Sequence, residues 1–444
     1  PDFDETAFIE AHVDDKAIVS VRVNSHKPVD NIWQHPILNN VTNPKVAWCK
    51  EGIYLPERPL FVNDPAWHAG AYYVQEASSM FIQFLLENLV PISINKIVLD
   101  ACAAPGGKST LLSHYFNDGL VISNEVIKSR AAILVENTIK WGDTNTIITN
   151  NDPAHFGIMG NFFDVVLVDA PCSGSGLFRK QPEAIDEWST EAVNLCSLRQ
   201  QRILTDLLPA LKENGILLYA TCSYSMEENE AIIDWLIDAN LVEPIAISVP
   251  ENWQITTSYS PKNGAACFRF FPHKTMGEGF FVAALRKKTA AVHFVTKEQN
   301  LVKPDKKELA KLIPYLPENK NLTVFQQSGI TRVIDNQFEK ELTQIAAYLY
   351  IKKAGNALGS FKGNDFIPNH EWAVSTLPKL NFPITVLNQT EAIQFLKRQD
   401  FMPEAANNKG WHLVTYCGLP LGWMKVLPNR MNNYYPNEWR ILKG

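Results

Sequence analysis

The chain has 444 residues, 46% of them hydrophobic, with a net charge of −6 and a pI near 6.0. That length and apolar content suit about two to four domains with large buried cores, and the acidic balance counts mildly against nucleic-acid binding, which usually leaves a basic footprint. No apolar run approaches the roughly 18 residues a bilayer span needs, and Pro1-Asp2-Phe3-Asp4 lacks the basic start and apolar core of a signal peptide, so a cytoplasmic location without membrane association is expected. Seven cysteines, at positions 49, 102, 172, 196, 222, 267 and 417, form no CxxC pair. Neither a disulfide framework nor a metal site is therefore expected, and the thiols should be free.

In chain order, residues 1–65 read as a small α/β module. Ile18 to Asn24 alternates like a half-buried strand, and proline punctuation follows at Pro28, Pro36, Pro44, Pro56 and Pro59. Gly70 to Ser79 leads into an apolar helix over 80–89, with Ser78 or Ser79 as the expected N-cap. From Lys96 the rhythm is strand, turn, helix. Strands are predicted at 97–100, 120–125, 146–149, 164–169 and 215–222. Helices are predicted from 109 to 116, over about 127–140, about 190–212 and 227–237, with closing strands near 267–271 and 279–285. Strands alternating with helices mean an α/β fold with a doubly wound, mostly parallel sheet. Arg286, Lys287, Lys288, Lys297, Lys303, Lys306 and Lys307 then outnumber Glu298 and Asp305, as a solvated linker or a local basic patch for nucleic acid. Residues 300–370 are expected to carry one amphipathic helix, near 338–353, and 378–444 to be a small β-rich domain.

The first strand-to-helix turn is Asp100-Ala101-Cys102-Ala103-Ala104-Pro105-Gly106-Gly107-Lys108-Ser109. Its small residues and glycines let a ligand approach the backbone. It matches neither GxGxxG nor GxxxxGK[ST], which disfavours a dinucleotide or a phosphate loop. Glu125, closing the second strand, suits the two hydroxyls of a ribose, and Asp152, after the third, suits an adenine amino group. A ribose-gripping acid without a phosphate loop points to a nucleoside cofactor such as S-adenosylmethionine, held by residues 101–108, Glu125, Asp152 and Asp169. The run from Asp164 to Gly176 is an apolar strand ending in an acid, Asp169, and a thiol, Cys172. Ligands sit beyond the carboxyl ends of such strands. Cys222 ends the fifth strand, the neighbour of the fourth in this topology, so two thiols qualify for chemistry. Cys102 lies in the cofactor loop and is expected to pack.

Asp100 to Lys108, then Asp169-Ala170-Pro171-Cys172-Ser173-Gly174, then Thr221-Cys222-Ser223 resemble the Nol/Nop/Sun family of RNA cytosine-5 methyltransferases. Gly70 to Ser79 and Pro272-His273 with Gly277-Glu278-Gly279-Phe280-Phe281 are similar to further motifs of that family, so the likeness spans about residues 20–286. The tail, Leu419 to Trp423 with Asn433-Tyr434-Tyr435-Pro436, resembles the PUA-like region of bacterial RsmF-type ribosomal RNA methyltransferases. The resemblance implies an α/β fold built on a Rossmann-like class I methyltransferase sheet. It implies an N-terminal RNA-binding α/β module at 1–65, a methyltransferase domain at 66–288, a linker and accessory segment at 289–375 and a PUA-like RNA-binding domain at 376–444.

It further implies an S-adenosylmethionine-dependent enzyme that methylates carbon 5 of a cytosine in ribosomal RNA, most naturally 16S rRNA in the small subunit or its precursor, acting as a monomer. Carbon 5 of cytosine is a poor nucleophile; thiolate attack on carbon 6 makes the ring an enamine, and carbon 5 then accepts a methyl group. The family assigns the attack to Cys222 and product release to Cys172. Asp169 would bind and activate the base, and Lys108 would orient it or lower a thiol pKa. The base must be unpaired or flipped out, and Tyr73, Phe271 and Trp423 are candidate stacking platforms. Two other readings compete: a DNA cytosine-5 methyltransferase using Cys172 as nucleophile, which leaves Cys222 and the tail without a role, and a non-catalytic ribosome-assembly RNA-binding factor, which leaves the cofactor acids and both thiols without one.

Overall fold

The computed structural model describes residues 3–13, 18–27, 44–91, 95–289, 297–318, 321–406 and 408–442; the proline punctuation at Pro28 and Pro36 lies outside them. In chain order the strands are β1 (Val19–Val23), β2 (Gly52–Leu55), β3 (Tyr72–Val74), β4 (Ile97–Asp100), β5 (Leu120–Asn124), β6 (Thr146–Thr149), β7 (Phe163–Asp169), β8 (Leu211–Thr221), β9 (Val242–Pro244), β10 (Thr256–Tyr259), β11 (Ala266–Phe270), β12 (Phe280–Lys287), β13 (Leu322–Gln327), β14 (Ile330–Asp335), β15 (Ile351–Ala354), β16 (Asn356–Lys362), β17 (Asp365–Pro368), β18 (Ile384–Val386), β19 (Gly410–Tyr416), β20 (Leu419–Leu427) and β21 (Arg430–Asn433). Among the described residues no helix is long and apolar enough to cross a membrane.

The central sheet runs β10-β11-β12-β8-β7-β4-β5-β6-β15, with β9 on β12. Strands β6, β5, β4, β7 and β8 are parallel. The chain winds outward from β4 through β5 to β6, then returns to place β7 on the other side of β4. The carboxyl ends of β4 and β7 therefore frame the switch-point crevice where ligands bind. The apolar runs form strands because both faces are covered. Val166 and Val168 of β7 join one core and Val165 and Leu167 the other. Each such side chain contributes roughly 1.5–3 kcal/mol by leaving water.

The N-terminal sheet, β2-β1-β3, is tied to the element after the cofactor loop. Arg22 is buried; its Nε donates to Gln75 Oε1 at 2.8 Å, its Nη2 to Thr110 Oγ1 at 2.7 Å, and its guanidinium lies 4.3 Å from the Trp141 ring centre. Burial pulls its pKa down to about 10.

Several expectations are corrected. Ser78 and Ser79 do not cap the helix Phe81–Leu89, because both lie in a preceding 3-10 turn. Ser78 Oγ donates to the Glu278 carbonyl at 3.0 Å, and the Glu76 carboxylate accepts from the Ser79 amide at 3.1 Å. The long helix stops at Leu207, a 3-10 turn carrying Pro209 follows, and β8 begins at Leu211. The helix expected at 338–353 ends at Tyr348, and the chain then forms β15, which pairs antiparallel with β6 and extends the central sheet. Besides that helix, residues 300–370 hold a second one, Lys306–Leu312, and a four-stranded sheet, β13-β14-β16-β17, that the sequence did not predict. The basic run is dispersed: Lys287 is buried with its Nζ 2.7 Å from the Leu208 carbonyl, and Lys303 pairs with Glu339 at 2.9 Å. Trp423 is no stacking platform, since it is fully buried and donates to the Asn369 carbonyl at 2.8 Å.

Candidate active site

A cleft of about 1070 Å³ opens along the carboxyl ends of β4, β5, β7 and β8. Ala101, Cys102, Ala103, Ala104, Pro105, Gly107, Lys108, Glu125, Asp169, Cys172 and Cys222 all line it. The structure thus brings together most of the residues singled out from sequence. Gly106 shapes the turn from behind, in a left-handed conformation with φ +116°. Asp152 sits at the rim, caps Ala154 and pairs with Arg202 at 3.0 Å; Pro153 and Arg202, not Asp152, face the cleft. Tyr73 lines the cleft, whereas Phe271 stacks on Tyr224 at 5.7 Å.

At the cofactor end, Asp100 is buried. One carboxylate oxygen accepts from Ser109 Oγ at 2.6 Å, and the other, Oδ1, has no hydrogen-bond partner among the described residues. The Glu125 carboxylate accepts from the Ile127 amide at 2.9 Å and lies 3.5 Å from Arg130. A buried acid in the cleft wall, Glu125, and a loop of small residues fit a ligand rich in hydroxyl and amino groups. Burial, opposed by Ser109 and aided by Asp169, pushes the Asp100 carboxyl up to about 7.

A raised acid binds its proton more tightly folded than unfolded. Its contribution is therefore complete below an ordinary value of 3.8 and is lost as pH rises toward about 7. In the ligand-free chain, the melting temperature of wild type relative to Asp100→Asn is expected to fall by a few degrees between those limits. Paired thermal melts across that range check it; a pH-independent difference would contradict the assignment.

At the catalytic end, β7 and β8 run in register, Asp169 opposite Ala220. The Ala170 amide donates to the Ala220 carbonyl at 2.8 Å, and the Gly176 amide to the Cys222 carbonyl at 2.8 Å. The two loops are thus stitched together, and the sulfurs of Cys172 and Cys222 lie 3.1 Å apart. Their hydrogen bond, then burial, then the charges of Cys222 and Glu228 push the Cys172 thiol well up. Burial, with the carboxylates around it, likewise raises Cys102, which keeps that thiol protonated and unreactive. Lys108 Nζ donates to Asp169 Oδ2 at 2.9 Å. Burial opposes the Lys108 charge, but this pairing outweighs it and its pKa is raised. Cys222 also lies within electrostatic reach of that ammonium.

Gly176 is where the loops cross. A Cβ there would lie 2.7 Å from the Gly279 carbonyl oxygen and 2.8 Å from that of Cys222. Both are backbone atoms that cannot swing aside, so Gly176→Ala should push the two thiol loops apart. A misplacement of about 1 Å costs on the order of 10²-fold in rate. Steady-state kinetics should show kcat falling on that scale.

Sequence reasoning gave no role to Glu228, nor to Glu76, Arg179 and Glu278. Glu228 accepts from Ser173 and Ser223, the residues after the two cysteines. Arg179 pairs with Glu278 at 3.0 Å, and the Glu76 carboxylate accepts from the Glu278 amide at 2.9 Å. Glu227 to Glu230 read simply as the polar start of a helix. The available signal was proximity: Glu228 follows Cys222 across a single turn.

Comparison with known proteins follows the same lines. Residues 88–286 match the family described as 16S rRNA methyltransferase RsmB/F, residues 383–441 the RsmF methyltransferase PUA domain, and residues 2–77 the N-terminal domain of 16S rRNA methyltransferase RsmF. The chain is 31% identical over 409 residues to ribosomal RNA small subunit methyltransferase F of Psychromonas ingrahamii, covering 88% of this chain and 84% of that one. The protein of the same name from Escherichia coli O9:H4 is 29% identical, covering 94% and 89%. Among solved structures, a methyltransferase homolog protein from Pyrococcus horikoshii is 30% identical with a TM-score of 0.54, over 63% of this chain and 90% of that one. NSun6 from the same organism, solved with SFG, shares the fold at 19% identity and a TM-score of 0.53, over 64% and 94%.

Proposed function

The chain belongs to the ribosomal RNA small subunit methyltransferase F family, and from that membership and the paired thiols we propose that it methylates carbon 5 of a cytosine in 16S rRNA through a covalent cysteine adduct. The coarser statement, that it is a methyltransferase of small-subunit ribosomal RNA, follows from the family. The observation that carries the finer one is the 3.1 Å approach of two sulfurs beside a Lys–Asp pair. A methyltransferase acting on an exocyclic nitrogen needs no thiol, whereas carbon-5 transfer needs one to make the bond and a neighbour to help undo it.

S-adenosylmethionine, when bound, supplies the electrophilic methyl group. Residues 101–108 and Glu125 would hold it, with buried Asp100 bracing the loop from beneath through Ser109. Asp152, at the rim and paired with Arg202, would border it. Cys222, as thiolate, attacks carbon 6 of the flipped cytosine and forms the carbon–sulfur bond. Lys108 holds one Asp169 oxygen; the other accepts from the cytosine amino group, and the carboxylate favours N3 taking a proton from solvent as the thiolate adds. Once carbon 5 is methylated a base removes its remaining proton, the carbon–hydrogen pair closes the double bond to carbon 6, and the Cys222 sulfur departs with the carbon–sulfur pair as thiolate. Cys172, adjacent to that sulfur, assists the last step. The N-terminal module at 1–65 and the PUA-like domain at 376–444 are proposed to grip the RNA around the unpaired target.

The test is a digest to nucleosides after incubating the enzyme with methyl-labelled S-adenosylmethionine and unmodified 16S rRNA or small subunits. Label in 5-methylcytidine is expected. Label in N4-methylcytidine, or in duplex DNA alone, would overturn the reading.

A further inference from the structure

We infer that Glu228 is a positioning residue whose single carboxylate clamps both cysteine loops and so holds Cys172 and Cys222 at reacting distance. The inference rests on the proposed roles of the two thiols. Glu228 is fully buried. Its Oε1 accepts from the Ser173 amide at 2.8 Å and from Gln200 Nε2 at 3.1 Å. Its Oε2 accepts from Ser173 Oγ at 2.5 Å and from Ser223 Oγ at 2.6 Å. Ser173 follows Cys172 and Ser223 follows Cys222, so the carboxylate holds the residue next to each sulfur. Gln200 Nε2 also donates to the Pro171 carbonyl at 3.0 Å, which fixes the residue on the other side of Cys172.

The clamp is itself anchored to β8. Tyr219 donates its hydroxyl to the Glu228 carbonyl at 2.6 Å. The next residue, Asn229, accepts from Thr221 Oγ1 at 2.6 Å and donates to the Ser223 carbonyl at 2.7 Å. Four donors converge on one carboxylate and fill its lone-pair sites, as a buried charge without a cationic partner requires. A loop-capping acid would serve one loop; this one serves two that are remote in sequence, and it adds to the Gly176–Cys222 backbone bond that also joins them. Glu228 is absent from the cleft lining, so it acts through the cysteines.

Alanine removes the acceptors and frees the loops. Glutamine keeps the shape: its oxygen accepts from the Ser173 amide and Gln200, and its amide donates to the two serine hydroxyls, which also accept. Glu228→Ala is expected to lower kcat by about 10²-fold, with Glu228→Gln recovering most of that loss and KM for S-adenosylmethionine unchanged in both.

A second readout avoids catalysis. In glutathione redox buffer one glutathione disulfide is reduced to two thiols as Cys172 and Cys222 form one disulfide, and mass spectrometry of that peptide pair gives their effective concentration. Glu228→Ala should lower it by about tenfold or more, and Glu228→Gln by far less. The double variant Ser173→Ala, Ser223→Ala carries the same expectation as Glu228→Ala and replaces it if that variant does not fold. Unchanged thiol coupling in the alanine variants, or equal losses for glutamine and alanine, would overturn the clamp. If wild type makes no 5-methylcytidine while the coupling differences hold, the proposed function fails and the clamp stands.

Discussion

Cys222→Ala is expected to lose methyl transfer by about 10⁴-fold or more, as loss of an essential nucleophile does, while S-adenosylmethionine affinity stays within a few-fold. The sulfur sits at the end of β8, beyond the last in-register pair of the central sheet, and its side chain is only partly buried. Truncation therefore removes chemistry rather than core, and its cost in stability should be about 1 kcal/mol or less. Nothing else in the cleft replaces it. Cys102 lies in the cofactor loop with its thiol held protonated, and burial and the Glu228 charge still raise the Cys172 thiol when Cys222 is gone. Single-turnover assays with labelled methyl groups, read beside a ligand-binding titration, separate loss of attack from loss of cofactor. Activity above about one hundredth of wild type would mean that the attack belongs elsewhere.

Cys172→Ala is expected to fail differently. Attack and methyl transfer precede the step it serves, so the first turnover should proceed and then stall. Steady-state turnover should fall by about 10²- to 10⁴-fold, the range lost with a proton-transferring group, while protein–RNA adduct accumulates toward one per enzyme. The geometry supports this order: the residue that helps a sulfur leave must sit beside it, and 3.1 Å is contact distance. Removing Cys222 as well should abolish the adduct, since residues acting in sequence are not additive. A denaturing gel of the three variants with 16S rRNA reads this directly. Equal adduct from the Cys172 variant and wild type would deny Cys172 its role.

The parts of this architecture written locally in the chain were legible there. β4 to β7 and the 215–221 part of β8 are mainly apolar runs because both faces are buried, and each ends in turn residues that mark its carboxyl edge. The cofactor loop and the two thiols follow those edges directly, so one topological rule places them in one crevice. What depends on distant pairing was not legible. β15 reaches the sheet edge only through β6, about 200 residues earlier, and its Ile351-Lys352-Lys353-Ala354 run has no strong period of its own. Trp423 has the composition of a stacking platform, yet the packing of Trp372 and Phe382 around it decides its burial. Glu228 reads as a solvated helix start because a buried acid is visible only when its donors, Ser173 and Gln200, are folded around it.

The central claim is that one named sulfur bonds to carbon 6 of the target base. It is tested most directly by incubating Cys172→Ala with 16S rRNA and S-adenosylmethionine, digesting protein and RNA, and sequencing the cross-linked peptide by mass spectrometry. The expected species is a cytosine nucleotide, heavier by one methyl group, on Cys222. A nucleotide on any other cysteine, or complete methylation of cytosine with no cross-link at all, would contradict the account.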